Sequence, residues 1–207
     1  MIQPWRKLGS RLVGDFRIFT LRADRLISPR TGEEHEFFVL DSVNWVNVIA
    51  VTPDRQLVMV EQYRHGSGTV ELEIPGGMMD PGEASPIATA VRELREETGY
   101  EGVDARLIGR IFANPAIMTN TCFTALIENC RPQHAVKLDH GEDLATHLLP
   151  VADLPRLVAE ERIQHSLVVV ALYHFDLWQR GLREGSVNSI DNSGQGCRHA
   201  ERHDTVD

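Results

Sequence analysis

Three glutamates stand close together near the end of a predicted helix, at Glu93, Glu96 and Glu97. Glu93 and Glu97 are four positions apart, so a helix places them on the same side, where their like charges repel by roughly 0.2–0.5 kcal/mol. Both also lie near the helix C-terminus, where the backbone dipole disfavours negative charge. One interpretation is a solvated acidic face. The other is a site for a hard divalent cation such as Mg²⁺, which takes oxygen ligands and would remove both penalties.

The residues on either side of this helix favour the metal site. Gly76 and Gly77 allow a close approach of the backbone and unusual dihedral angles. Ser85 and Pro86 are typical of a helix start, and Gly99 is typical of a helix end. A glycine-rich segment that leads into a carboxylate-bearing helix can bring backbone groups and a metal ion beside a phosphate group.

The predicted helix also needs an apolar face that holds it against the rest of the protein. Apolar side chains recur at steps of three and four residues, at Ile87, Ala90, Val91 and Leu94. This spacing predicts one buried face, with the two glutamates of the repelling pair on its flank.

The chain around this helix alternates strands with helices, which predicts an α+β fold with a mixed sheet between helices. Apolar runs bounded by turn residues predict strands over residues 45–52, 56–64, 69–74, 105–113, 122–129 and 144–151. Two more helices are predicted over residues 152–162 and 166–180.

The pattern divides the chain into three parts. Residues 1–42 alternate imperfectly between apolar and polar side chains, which predicts an N-terminal β-rich arm. Residues 43–182 form the main domain. Residues 183–207 are polar and poor in aliphatic side chains, so we expect a disordered tail.

Composition narrows the classes of function. A chain of 207 residues is long enough for one domain with its own core. The net charge of −9 argues against a nucleic-acid groove, because Lys and Arg drive binding to a phosphate backbone. The three cysteines form no CxxC pair, which predicts reduced thiols in the cytoplasm. No apolar run has transmembrane length and the first residues lack a signal-peptide core, so we expect no membrane association.

The stretch that begins at Gly77 resembles the signature of the Nudix hydrolases. That signature is Gly, five residues, Glu, seven residues, and then Arg-Glu-aliphatic-any-Glu-Glu-any-Gly-apolar. Gly77 and Glu83 keep the first spacing, and residues 92–100 (RELREETGY) match the second half.

The sequence departs from the signature at one place, because eight residues instead of seven separate Glu83 from Arg92. An insertion within the helix would turn the glutamates by about 100° relative to the buried face, whereas one before Ser85 would only lengthen a loop. The intact helix start favours the loop.

Three other segments resemble the Nudix branch that cleaves ADP-ribose and nucleoside diphosphate sugars. Residues 60–77 (VEQYRHGSGTVELEIPGG) are similar to the segment before the signature in that branch. Residues 140–158 (HGEDLATHLLPVADLPRLV) are similar to its later loop, where an acidic residue assists catalysis, and Glu142 is the match. Pro115 stands about where the ADP-ribose-cleaving members carry a proline.

The resemblance implies a Nudix α/β/α sandwich and Mg²⁺-dependent hydrolysis, with Mn²⁺ as the alternative ion. Glu93 and Glu97 are then the main metal ligands, Glu96 is a further ligand directly or through water, and the Gly76 carbonyl is a candidate ligand. Glu96 and Arg92 also belong to the catalytic group, and Glu83 braces the arginine. Glu142 is the candidate base, with Asp143 as the second choice.

Four residues are expected to bind the substrate, and two of them, Arg64 and Trp45, have an alternative role. Arg64 either contacts a phosphate or pairs with Glu73, and Glu73 itself joins the substrate or metal shell. Trp45 either stacks on a base or packs in the core or an interface. Pro115 completes this group.

Two other functions remain open at the level of the sequence. The enzyme could cleave another Nudix substrate, such as GDP-mannose, a dinucleoside polyphosphate or NADH. A non-catalytic Nudix domain that senses a nucleotide is the second alternative. The small-molecule partner is a nucleotide in each case, and the N-terminal arm resembles arms that build homodimers in this branch.

Overall fold

The computed structural model describes residues 1–83 and 85–183 and contains three sheets, three α-helices and one short 3₁₀ helix within these ranges. The strands are β1 (Arg6–Asp15), β2 (Thr20–Ile27), β3 (Glu34–Asp41), β4 (Trp45–Ala50), β5 (Gln56–Arg64), β6 (Thr69–Glu73), β7 (Gly76–Met78), β8 (Tyr100–Phe112), β9 (Thr121–Pro132) and β10 (Leu144–Pro150). The helices are α1 (Pro86–Thr98), the 3₁₀ helix Val151–Asp153, α2 (Leu154–Ala159) and α3 (Ser166–Gln179).

The two sheets of the main domain meet around β4. One has the strand order β7-β4-β9-β8, in which β4 and β9 are parallel and the other pairs are antiparallel. The other has the order β10-β5-β6 and is antiparallel. The expected mixed sheet is therefore confirmed.

Strand β4 explains why helices cover both faces of the sheet. Its side chains alternate between two buried clusters, as expected for a strand that has no solvent face. Val48 belongs to a cluster that includes Ala90 and Leu94 of α1. Ile49 belongs to the opposite cluster, which includes Phe175 of α3. The result is the α/β/α sandwich that the sequence predicted.

Helix α1 begins and ends where the sequence places its signals. The Ser85 hydroxyl accepts a hydrogen bond from the Ala88 N–H at 3.2 Å, and Pro86 is the first helical residue. Gly99 closes the helix in the left-handed region, with φ of 72°, and its N–H donates to the Arg95 carbonyl at 2.9 Å. The regular helix from Pro86 onwards shows that the additional residue of the signature lies before the helix, as predicted.

The buried face of α1 differs from the predicted one. Val91 is 38% exposed, while Glu93 and Glu97 lie on the buried face itself and not on its flank. The pattern of apolar residues missed this because the segment that packs against the glutamates carries glycines and leaves room for carboxylates.

Two strand predictions also need correction. No strand was predicted at Gly76, but residues Gly76–Met78 form strand β7, which pairs antiparallel with β4. Strand β8 begins at Tyr100, several residues before the predicted start. Register shifts between Glu101 and Arg106 interrupt its alternation, which explains why the apolar pattern began too late.

The first three strands form a sheet of their own, with the order β1-β2-β3. Leu40 joins this sheet to the main domain, because its N–H donates to the Ile117 carbonyl at 2.8 Å and its carbonyl accepts from the Thr119 N–H at 3.1 Å. The expected disorder of residues 183–207 concerns a segment that, apart from Arg183, lies outside the described residues. Among the described helices, none combines the length and apolar character needed to cross a membrane.

Candidate active site

A cavity of about 790 Å³ opens beside α1, within the size range of small-molecule binding sites. Strands β4 to β7, helix α1, the loop before β10 and the start of α3 contribute to its walls. The cavity collects nearly all of the predicted site residues: Trp45, Arg64, Glu73, Gly76, Arg92, Glu93, Glu96, Glu97 and Glu142.

Two of the buried acids of this cavity are Glu93 and Glu97, with 8% and 4% of their surface exposed. Burial in a poorly solvated environment raises the pKa of Glu93 to about 7 and the pKa of Glu97 to about 8. The Gly76 N–H donates to Glu97 Oε2 at 3.0 Å and offsets part of this rise. Neighbouring groups balance the charge of these two buried carboxylates only in part. Such a pair is typical of a site that binds a metal cation.

The two glycines of β7 are required by close packing. A Cβ atom on Gly76 would lie 2.2 Å from the Val46 carbonyl oxygen, and a Cβ atom on Gly77 would lie 2.2 Å from Glu93 Oε1. Both distances are far below van der Waals contact. Strand β7 can therefore pass directly over the carboxylate of Glu93 only because these positions carry no side chain.

Arg92 connects the acids of the signature to one another. Its guanidinium donates to Glu83 at 2.8 Å and to Glu96 at 3.0 Å, and lies 3.0 Å from Glu93. The hydrogen bond from Arg92 is the largest influence that lowers the pKa of Glu83, to about 2. The brace between Glu83 and the arginine is thus present despite the longer loop.

The acidic cluster of Glu93, Glu96 and Glu97 offers the kind of ligand atoms that a hard divalent cation prefers. Its side-chain donors are all carboxylate oxygens, which Mg²⁺ and Mn²⁺ prefer. In the described part of the chain no three His, Cys, Asp or Glu side chains form a ready-made metal cluster. Arg92 contacts Glu93 and Glu96, and the Gly76 N–H donates to Glu97. Glu93 and Glu97 would hold the ion, with Glu96 as the more exposed third acid.

Arg64 and Glu73 form a bidentate ion pair, with both N–O distances at 2.7 Å. Glu73 is 2% exposed, whereas the Arg64 side chain is 42% exposed and lines the cavity. Of the two interpretations of Arg64, the structure shows the pair with Glu73. A contact with a substrate phosphate stays a prediction.

Replacing Arg64 with alanine should destabilise the fold by about 2–3 kcal/mol, because it leaves the buried Glu73 carboxylate without its partner. We place the value below that of a fully buried pair because Arg64 is partly exposed. Urea unfolding measures the change. Arg156→Ala, which breaks exposed pairs with Glu160 and Asp153, should cost less than about 1 kcal/mol. Unchanged stability together with a raised KM would instead assign Arg64 to the substrate alone.

The remaining predicted residues differ in their positions. Glu142 lines the cavity and accepts a hydrogen bond from the Asp139 N–H at 2.8 Å, whereas Asp143 does not line it. Trp45 lines the cavity from β4, opposite Met78 of β7. Pro115 lies on an exposed turn and is not among the cavity residues, so the structure does not bring it to the site.

Several cavity residues were not anticipated from the sequence: Asn47, Gln62, Lys137, Gln164 and His165. Asn47 carried a signal, because it interrupts the otherwise apolar strand β4; its side chain donates to the Leu167 carbonyl at 3.0 Å. Gln164 and His165 come to the cavity through the packing of α3, which no local pattern reveals.

Comparison with known proteins agrees with this geometry. The NUDIX domain family matches residues 41–169. The methanol dehydrogenase activator of Bacillus methanolicus is 30% identical over 162 residues, which cover 78% of this chain and 86% of that protein. The ADP-ribose pyrophosphatase of Mycobacterium tuberculosis is 28% identical over 156 residues, 75% of each chain. A crystal structure described as an ADP compounds hydrolase shares the fold, with a TM-score of 0.77, 22% identity and coverage of 88% of this chain and 97% of that one.

The chain belongs to the Nudix hydrolase family. It is a hydrolase of phosphoanhydride bonds whose substrate is a small-molecule nucleotide. The resemblance noted in the sequence is thereby confirmed.

Proposed function

We propose that this enzyme hydrolyses the diphosphate bond of ADP-ribose or a related nucleoside diphosphate sugar in a Mg²⁺-dependent reaction. The products are a nucleoside monophosphate and a sugar phosphate. The observation that carries the proposal is the pair of buried carboxylates, Glu93 and Glu97, that faces a cavity large enough for a nucleotide. The relatives named as acting on ADP-ribose and ADP compounds support this substrate class.

The residues of the cavity supply distinct parts of this reaction. Glu93, Glu97 and Glu96 would hold Mg²⁺, with the Gly76 carbonyl as a further candidate. The bound ion supplies neutralisation of the diphosphate charge and activation of water. Glu142 accepts the proton of the attacking water as the new P–O bond forms and the bridging P–O bond breaks. Arg92 holds the acids in place, and Trp45 offers an aromatic surface for the base.

The first experiment is a substrate panel with the purified full chain. ADP-ribose, UDP-glucose, GDP-mannose, diadenosine polyphosphates and NADH are each incubated with Mg²⁺, with Mn²⁺ and with EDTA, and phosphatase-coupled phosphate release reports cleavage. We expect metal-dependent turnover that is fastest with ADP-ribose or another nucleoside diphosphate sugar. Fastest turnover of a dinucleoside polyphosphate or NADH would select the alternative enzyme. Binding without turnover of any compound would select the nucleotide sensor.

We also propose that the enzyme is a homodimer built through the N-terminal arm. The N-terminal arm exposes large apolar side chains, among them Leu12 at 68%, Phe16 at 53% and Phe38 at 53%. A monomer rarely leaves so many such side chains in water, and a second copy of the chain would cover them.

Two described cysteines, Cys122 and Cys130, are buried free thiols, which supports action in the reducing cytoplasm.

Sedimentation equilibrium should give the mass of two chains for the wild type. Phe38→Glu should shift it to one chain at micromolar concentration, because a charge placed in an apolar interface loses its hydration. Val103→Glu is the matched control, because Val103 is 54% exposed and lies on β8, outside the arm. The Val103→Glu variant should stay dimeric. A wild type that sediments as one chain would contradict the proposal.

A further inference from the structure

Positive charge is scarce in the cavity and most of it is already engaged. Eight acidic residues line the cavity: Glu71, Glu73, Asp80, Glu93, Glu96, Glu97, Asp139 and Glu142. Its Lys and Arg residues are Arg64, Arg92 and Lys137. Arg64 pairs with Glu73 at 2.7 Å, and Arg92 is shared among the acids of the signature at about 3 Å. Both guanidiniums therefore already compensate carboxylates of the protein itself.

Lys137 differs from the two arginines in its ion pairing. Its side chain is exposed and lines the cavity, and no acidic side chain in residues 1–83 and 85–183 lies within 4.0 Å of its ammonium group. Lysine is also rare in this protein: it occurs only at Lys7 and Lys137. Lys7 lies on the arm, where it pairs with Asp24 at 2.9 Å.

The backbone of Lys137 is tied to the C-terminal end of α1. The Lys137 N–H donates to the Glu96 carbonyl at 2.8 Å, and the N–H groups of Gln133 and His134 donate to the Gly99 carbonyl at 2.9 and 3.0 Å. These bonds satisfy carbonyls that the helix end leaves free. They also fix the start of the Lys137 side chain beside the metal-binding acids.

We propose that the Lys137 ammonium binds a non-bridging oxygen of the substrate diphosphate. This inference rests on the hydrolase function proposed above and adds a substrate-binding residue to it. A diphosphate ester carries about two negative charges, and negative charge grows on the leaving phosphate as the bridging bond breaks. A lysine serves there as a mobile point charge, which needs no fixed bidentate geometry.

Protection from acetylation tests this contact directly. The full chain is treated with an N-hydroxysuccinimide ester of acetic acid, and peptide mass spectrometry follows both lysines. With Mg²⁺ and the α,β-methylene analogue of ADP-ribose, acetylation of Lys137 should slow about tenfold, while Lys7 serves as the unchanged internal control. Pyrophosphate with Mg²⁺ is a second probe that presents the diphosphate alone. If neither probe protects Lys137, the inference is overturned, whatever the wild type hydrolyses.

Kinetics separate substrate binding from a structural role. Lys137→Met should lower kcat/KM by about 10- to 100-fold, the usual range for loss of a hydrogen bond to a charged group. Lys137→Arg should restore kcat/KM to within about fivefold. Arg110→Met, which removes an exposed charge on β8, should have no effect. A decrease in Lys137→Met of less than twofold would contradict the inference. Absence of turnover in the wild type is a separate result that bears on the proposed function.

Discussion

Glu97→Gln should lower metal-dependent turnover by about 10³-fold, the largest effect that we expect from a single substitution. Glu97 is 4% exposed, and its Oε2 already accepts a hydrogen bond from the Gly76 N–H. A glutamine keeps the size of the side chain and removes its negative charge. The metal ion should supply about 4 kcal/mol of transition-state stabilisation, and each 1.36 kcal/mol corresponds to a factor of ten in rate.

The test compares kcat and KM of Glu97→Gln with those of Glu160→Gln. Glu160 is an exposed residue that pairs with Arg156 at 2.8 Å, so the same chemical change there should leave turnover within about twofold of the wild type. Circular dichroism tests whether both variants are folded. A Glu97→Gln enzyme that keeps a tenth or more of wild-type kcat would show that Glu97 is not a principal metal ligand.

The sequence predicted the start and end of α1 well because the signals there are local. The Ser85 cap, Pro86 and the left-handed Gly99 each act on their immediate neighbours, so their effect does not depend on the rest of the fold. Strand β5 was predicted with its observed bounds for a similar reason, since a long apolar run between turn residues leaves little choice.

The features that the sequence missed depend on contacts between distant segments. Strand β7 has three residues and two of them are glycines, so its strand conformation comes from pairing with β4 and not from its own propensity. The burial of Glu93 follows from the same pairing, because β7 passes over its carboxylate. Lys137 reaches the cavity through backbone bonds to the end of α1, about forty residues earlier in the chain.

The same buried acids should make the stability of the protein depend on Mg²⁺. In the metal-free protein the raised pKa values of Glu93 and Glu97, about 7 and about 8, mean that folding favours their protonated forms. The free energy of unfolding should therefore fall as the pH rises from about 4.5 through 8, where both acids become charged in a buried site. A bound cation removes this penalty.

Thermal unfolding at pH 8.5 should show a Tm about 5–10 °C higher at a Mg²⁺ concentration about 100 times the dissociation constant. The gain should shrink at pH 6, because protons then compete with the ion for both carboxylates. Glu97→Gln should have a higher Tm than the wild type without Mg²⁺ at pH 8.5, since one buried charge is gone, and should lose most of the Mg²⁺ response. Glu160→Gln should behave as the wild type. An equal Mg²⁺ gain in Glu97→Gln and in the wild type would place the stabilising ion elsewhere, because an ion bound through Glu97 cannot be indifferent to the loss of its charge.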